Sequence, residues 1–227
     1  GKHLFFCTRT QAMVVVDDEL MGAINGLPQF NGNEQTAEAL ATLSGMGFLV
    51  QNETEERANI ARYFQALKAD ASRVDATVLT TYACNFACPY CVEEGVKAAV
   101  HMDEQTAVRT VAYIGDRVQE HGAEKLFVSF YGGEPLLNLK AMRIVARGLQ
   151  EFCKPRGVEF RFGITTNGAL LSPETVDDLL PFGLKGVKVT LDGFGPYHDR
   201  KRPFSDGRGS FDRIVENVYH AVEKIDV

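Results

Sequence analysis

The string CNFACPYC places three cysteines, Cys84, Cys88 and Cys91, at a CX3CX2C spacing. Three thiolates make an incomplete donor set. A closed structural zinc site takes four protein ligands and an ordinary cuboidal iron–sulfur cluster takes four cysteines, so a compact set of three leaves one iron open for another ligand. The chain has five cysteines in 227 residues. Chance would set two more at the +4 and +7 positions roughly two times in a thousand, so the spacing asks for a chemical reason. Two plainer readings stand beside the cluster: a zinc ion completed by a distant fourth ligand, and a group of buried thiols with no ligand role.

Three further stretches carry reactive or ligating side chains, each next to a strand-like run. YGGEPLLN (Tyr131 to Asn138) follows the apolar run Leu126 to Phe130, and ITTNGALL (Ile164 to Leu171) follows the alternating run Val158 to Phe162. The third is VKVTLDGFGPYHDRKRPFSDGRGSF, Val187 to Phe211. With the cysteine string, and with the aromatic Tyr90 just before its third cysteine, these motifs stand in an order that resembles the radical S-adenosylmethionine (SAM) superfamily. The last stretch is similar to the signature of a subgroup containing anaerobic sulfatase-maturating enzymes and peptide maturases with a SPASM-type C-terminal extension.

The resemblance implies a [4Fe–4S] cluster on Cys84, Cys88 and Cys91, with SAM chelating the open iron through its amino and carboxylate groups. One electron, from a donor such as flavodoxin or ferredoxin, would split SAM into methionine and a 5′-deoxyadenosyl radical. That radical would take hydrogen from a peptide or protein side chain in a maturation reaction. The alternatives are a radical SAM enzyme acting on a small molecule in cofactor biosynthesis, and an iron–sulfur or zinc binding module without catalysis. The resemblance also implies the SAM contacts. Glu134, with the backbone of Gly132 and Gly133, would meet the amino group, where glycine lets main chain approach closely. Tyr90 would lie beside the adenine. Thr190, a hydroxyl at a strand end, and Arg202, twelve residues on, would meet the ribose or carboxylate region; the planar guanidinium fork suits a carboxylate. Each has an ordinary alternative. Glu134 can be a loop carboxylate, Thr190 a common β-strand residue, and Arg202 one of a solvated basic group with Arg200, Lys201 and Arg208. Asn167 can be a ligand or can serve its turn only; Asp192 and His198 resemble family positions too, but Asp192-Gly193 also reads as a plain turn and His198 as a local hydrogen-bonding residue. No catalytic acid or base is assigned.

The segments between and around these motifs alternate in an α/β pattern. Strand-like segments run over Ala76 to Tyr82, Leu126 to Tyr131, Val158 to Thr165 and Gly186 to Leu191, rich in β-branched and aromatic residues. Between them lie amphipathic helices opened by Asp103, Asn138, Ser172-Pro173 and Ser210. Such alternation predicts a parallel sheet with every motif at a C-terminal strand end, where barrel-like α/β folds carry their sites. The expected fold is a partial (β/α) barrel of about four of six βα units over 73–227, stopping before the last units and any C-terminal extension, with Lys224 to Val227 approaching a fifth strand.

Residues 1–72 read as a small α+β, winged-helix-like domain. A hairpin over Leu4 to Cys7 and Met13 to Val16, helices over Asp17 to Asn25, Glu34 to Ser44 and Glu53 to Asp70, and a wing-like strand over Gly47 to Val50 are expected. Such a domain could take a peptide as an added strand, or could simply shield the barrel.

Composition sets outer bounds. With 45% apolar and 24% charged residues and a net charge of −6, the chain is ordinary globular material. It lacks the basic footprint of a nucleic-acid binder. No window reaches the length of a membrane span and no signal pattern opens the chain, so the cytoplasm is the expected compartment. An odd cysteine count with three spoken for argues against a disulfide framework, and Cys7 and Cys153 read as small hydrophobes.

Overall fold

A computed structural model describes residues 1–27, 32–50, 52–96 and 98–227. They fall into two compact units, Gly1–Ala69 and Asp70–Val227.

The first unit opens with a hairpin in which β1 (Lys2–Phe6) pairs antiparallel with β2 (Met13–Asp17). Asp17 ends β2 and caps α1 (Asp18–Asn25), its carboxylate accepting the Leu20 N–H at 2.9 Å. Asn33 does the same for α2 (Glu34–Gly45), accepting from Thr36 N–H, and α3 (Glu53–Ala69) completes the unit. The wing-like strand expected over Gly47 to Val50 does not form. Gly47 adopts φ +85°, and the N–H groups of Gly47 and Phe48 turn back to the carbonyls of Ser44 and Leu43. This segment is the C-terminal cap of α2: the Gly47 and Phe48 N–H groups go to the helix, and the Gly47 carbonyl accepts the Cys7 thiol.

In the second unit the four strand-like runs form one parallel sheet in the order β3 (Arg73–Thr81), β4 (Lys125–Gly132), β5 (Glu159–Thr166), β6 (Leu184–Val189). Parallel neighbours need crossovers, and the helices supply them. Asp103 caps α4 (Glu104–His121), Asn138 caps α5 (Leu139–Cys153) and Ser172 caps α6 (Pro173–Leu179), each side chain accepting an N–H from the first turn. Two more helices follow β6: α7 (Pro196–Lys201) and α8 (Phe211–Ala221). α7 was not expected. It is a single short turn within the long motif, with Pro196 at its start.

The core lies between the sheet and the helices. Met142, Val145, Ala146 and Leu149, at i, i+3, i+4 and i+7 of α5, are fully buried with Leu126, Val128 and Phe130 of β4. Phe130 meets Phe162 of β5 edge to face, centroids 5.3 Å apart. Each such side chain contributes about 1.5–3 kcal/mol through burial. Asp226 extends the sheet past β6: it forms a parallel bridge with Gly186, and its carbonyl accepts the Val187 N–H at 2.8 Å. A Cβ on Gly186 would stand 2.7 Å from that carbonyl, which is why this strand position is glycine.

Candidate functional site

Four loops leave the C-terminal ends of β3 to β6, and each carries one of the motifs. The first begins at an irregularity. The β3–β4 register slips between Leu79 and Thr81, and Thr80 is fully buried with its carbonyl taken by Asn138 Nδ2 and by the Met102 N–H. A bulge at this point bends the strand and re-aims the cysteine loop beyond it. That loop is closed at its base, where Thr81 bridges His101 and the Tyr82 N–H reaches the Val100 carbonyl. Its far side is stitched to the segment after Arg202. Phe86 bridges Phe204, Ala87 N–H donates to the Pro203 carbonyl, and Ser205 N–H to that of Asn85. The Phe86 and Phe204 rings meet edge to face. Phe86, Cys88, Ala169 and Ile214 form a small apolar floor against which Cys84 and Cys91 pack.

The second loop explains its own glycines. Gly133 N–H donates to the Thr81 carbonyl and Glu134 N–H to that of Ala83, so the end of β4 runs against the backbone that leads into the cysteines. Gly132 has φ +137°, and a Cβ there would lie 2.2 Å from Thr81 O; on Gly133 it would lie 2.4 Å from Ala83 O. Two main chains meet here with no room for a side chain on either glycine.

The Glu134 side chain turns inward: it is fully buried and is not among the residues that line the cavity walled by the other motif residues. One carboxylate oxygen accepts the Leu136 N–H (3.0 Å) and the Thr166 hydroxyl (2.8 Å); the other accepts the Asn167 N–H at 2.8 Å. Burial pushes this carboxyl above the usual carboxylate range, against the pull of those three donors and of Arg202. The physical reason for the inward turn is the donor set: three groups that would otherwise be buried without a partner converge on one acceptor. Glu134 thereby ties the GGEP loop to the TNG loop after β5. Within that loop Gly168 supplies the positive φ (+82°), while Asn167 is buried with its amide directed at Asn85 and Cys84.

The fourth loop, after β6, is closed on itself. His198 is fully buried; its Nδ1 accepts the Asp192 N–H at 3.2 Å, which leaves Nε2 to meet the Ser210 hydroxyl at 3.1 Å. Ser210 donates in turn to the Arg202 carbonyl at 2.6 Å. Ser210 therefore does not cap α8 as its sequence position suggests. Asp199 does so instead, one carboxylate oxygen accepting the N–H groups of both Ser210 and Phe211. Burial, and then the Arg202 charge, hold the His198 imidazole below its ordinary range. The Arg202 backbone is thus fixed from two sides, by its own N–H to the His198 carbonyl and by Ser210. Its guanidinium reaches across to Tyr90, Nη1 donating to the hydroxyl at 2.8 Å, and that hydroxyl donates to Asp192. Burial and the Asp192 carboxylate raise the Tyr90 phenol above its usual range.

These loops wall one cavity of about 200 Å³, whose lining includes Cys84, Cys88 and Cys91, Tyr90, Gly132 and Gly133, Thr190 and Arg202. Every residue expected at the site is therefore on its wall except Glu134. The sequence reading left Asn167, Asp192 and His198 outside the site, and its reading of His198 as a local hydrogen-bonding residue holds in the bonds to Asp192 and Ser210. The first is signalled only by its place in TNG, and the others by an Asp and a His six residues apart in the long motif. Two observations bear on the cofactors. Three thiols, Cys84, Cys88 and Cys91, lie around the cavity, the donor number that leaves one iron of a cubane cluster open. The Nε of Arg202 is buried with no hydrogen-bond partner, a cationic donor on the cavity wall awaiting an acceptor such as the carboxylate of SAM.

The chain is 30% identical over 145 residues to the GTP 3',8-cyclase of Peptoclostridium acidaminophilum, covering 63% of this chain and 41% of that one. The GTP 3',8-cyclase of Synechococcus sp. (strain WH7803) is 31% identical over 144 residues, covering 61% and 39%. The chain thus spans about two fifths of the length of the curated relatives it matches. Among solved structures it resembles native anSMEcpe with bound AdoMet and Cp18Cys peptide (TM-score 0.57, 18% identity, covering 67% of this chain and 42% of that one), a likeness of fold. It also aligns with Streptococcus suis SuiB bound to precursor peptide SuiA (TM-score 0.47, 15% identity, covering 97% and 51%). The model of the radical SAM superfamily matches residues 78–227. That span starts on the strand leading into the cysteines and takes in all four loops that wall the cavity, and the chain belongs to the radical SAM superfamily, whose [4Fe–4S] cluster and SAM are its cofactors.

Proposed function

We propose that Cys84, Cys88 and Cys91 hold the cluster and that the neighbouring wall holds SAM. The observation that carries this reading is the convergence on one cavity of four loops from four strands, with an unpartnered Arg202 donor beside the three thiols. When bound, the cluster and SAM supply a one-electron cleavage that yields methionine and a 5′-deoxyadenosyl radical able to take hydrogen from a substrate. The chain's own residues do the positioning. The Gly132–Gly133 main chain brings backbone groups to the amino end of SAM, Thr190 offers a hydroxyl, and Arg202 turns its fork to the carboxylate. Tyr90, on the cavity wall and held by Arg202 and Asp192, would lie beside the adenine. Glu134 serves the same site from behind, by fixing two of its loops.

For the substrate we favour a small molecule, with a purine nucleotide first. This rests on the curated relatives, whose names describe cyclisation of GTP and which are 30% and 31% identical over 145 and 144 residues. A second reading, maturation of a peptide or protein, is favoured by the Val187 to Phe211 stretch and its resemblance to peptide maturases; in that reading the hairpin unit is a peptide-binding domain. Either needs a one-electron donor such as flavodoxin or ferredoxin.

The test is formation of 5′-deoxyadenosine by anaerobically reconstituted protein given SAM and a low-potential reductant, with GTP or candidate precursor peptides added in turn. Stimulation and a new product with GTP support the first reading, and stimulation by a peptide alone replaces it with the second. No SAM cleavage in the full-length protein under any condition would refute both.

A further inference from the structure

We propose that Asn167 donates an amide N–H to the Cys84 sulfur and thereby raises the reduction potential of the cluster, with Glu134 as the residue that holds Asn167 in place. The inference rests on the reading that Cys84, Cys88 and Cys91 carry the cluster. It starts from the orientation of one amide. Asn167 Oδ1 accepts the Ala169 N–H at 3.0 Å, which fixes which end of the amide is oxygen. Nδ2 therefore faces the opposite way with two hydrogens to give. One goes to Asn85 Oδ1 at 2.7 Å and the other is directed at Cys84 Sγ at 3.9 Å. The same sulfur accepts the Phe86 N–H at 3.4 Å. The turn itself does not require this amide nitrogen, because Gly168 provides the positive φ and Oδ1 alone makes the local turn bond.

Glu134 explains why the amide stays where it is. Its own N–H is tied to the carbonyl of Ala83, the residue before Cys84, and its carboxylate holds the Asn167 N–H at 2.8 Å and the Thr166 hydroxyl at 2.8 Å. One buried residue thus spans the gap between the cysteine loop and the TNG loop and sets the spacing at which Asn167 meets sulfur. Groups beyond the direct ligands orient those ligands and tune the metal. Hydrogen bonds to the cluster's sulfurs are among the terms that set its potential. When the oxidised cluster takes up one electron, the added negative charge spreads onto its ligand sulfurs. An N–H dipole aimed at one of them stabilises the reduced form more than the oxidised one.

The experiment compares wild type with Asn167→Ala, Asn167→Asp and Glu134→Gln after anaerobic reconstitution. Iron and sulfide per chain are measured first, and the midpoint potential is then found by a redox titration read through the EPR signal of the reduced cluster. Iron content should match wild type. The midpoint should fall in Asn167→Ala, with the reduced-to-oxidised ratio at a fixed potential lowered about tenfold, which is 59 mV for one electron. It should fall further in Asn167→Asp, where an isosteric carboxylate replaces the donor. It should also fall in Glu134→Gln, whose amide would set an N–H against that of Asn167. Loosening that merely admitted water would move the potential upward, so the sign separates tuning from damage. A midpoint unchanged or raised with full iron, or loss of iron in all three variants including the isosteric one, overturns the proposal. Full iron in Cys84→Ala would instead overturn the assignment of the ligands.

Discussion

Arg202 reaches the cavity on a fixed backbone with a guanidinium only partly engaged, one nitrogen on Tyr90 and Nε with no partner. Removing its charge should therefore cost ligand affinity more than fold. Arg202→Ala is expected to weaken SAM binding by ~1.5–3 kcal/mol, the worth of a charge-assisted hydrogen bond, with little change in melting temperature. Isothermal titration on the cluster-loaded protein reads this, and unchanged affinity would displace the site. Glu134→Ala should behave oppositely. It strands three buried donors, which predicts a loss of stability of at least about 3 kcal/mol in denaturant unfolding. The cysteines divide in the same way. Alanine at Cys84, Cys88 or Cys91 should abolish the uptake of ~4 iron per chain expected of a cubane cluster, while alanine at Cys7 or Cys153 should leave it intact. Cys153 is buried, and burial pushes its thiol up to about 11. It should stay unmodified by iodoacetamide at pH 8, since thiolate is the reactive form.

Among the elements, the segment from β6 to α8 depends on a neutral histidine. His198 accepts at Nδ1 and lies within reach of the Arg202 charge, so the folded state disfavours its protonation. A histidine whose folded pKa is depressed takes up its proton more readily in the unfolded chain, so stability is full above the ordinary histidine pKa near 6.5 and falls as pH drops below it. Unfolding midpoints between pH 7.5 and 5.5 should decline in wild type and decline less in His198→Asn; equal slopes would show that other groups set the acid limit. This segment also marks where the sequence ceased to be readable. Strand β4 and helix α5 were legible, because Leu126 to Phe130 and the Met142, Val145, Leu149 stripe have the periods of their elements. Asp103, Asn138 and Ser172 announced helix starts that the structure keeps. Ser210 announced one too, but its hydroxyl is taken by His198 and Arg202, and Asp199, eleven residues earlier, does the capping. Gly47 to Val50 has strand composition, yet its N–H groups return to α2. Both differences come from hydrogen bonds whose partners are chosen by folding, which residue type and spacing do not record. The inward turn of Glu134 has the same origin.

Across the molecule, the sheet is best supported where β4 and β5 lie between neighbours over the Phe130–Phe162 contact. Native-state hydrogen exchange should be slowest in β4 and β5 and faster in β3 and β6, since interior strands open only with the larger cooperative unit. Uniform exchange across the four strands would contradict that order. No helix among the described residues is long and apolar enough to cross a membrane. The meeting of β4 with the lead-in to the cysteines has a consequence for how such chains diverge. Gly132 and Gly133 are required by the carbonyls of Thr81 and Ala83, which belong to the fold whether or not iron is ever loaded. The cysteines have local packing roles besides, Cys88 in the small apolar floor and Cys84 Sγ accepting the Phe86 N–H. A descendant that abandoned redox chemistry could exchange its three thiols for residues that keep that packing, but would still be obliged to carry the glycine pair. A paralogue with GG after its second barrel strand and no cysteine triplet after its first should therefore be read as a surviving scaffold, available for recruitment to binding, and not as a degraded enzyme that has lost its shape.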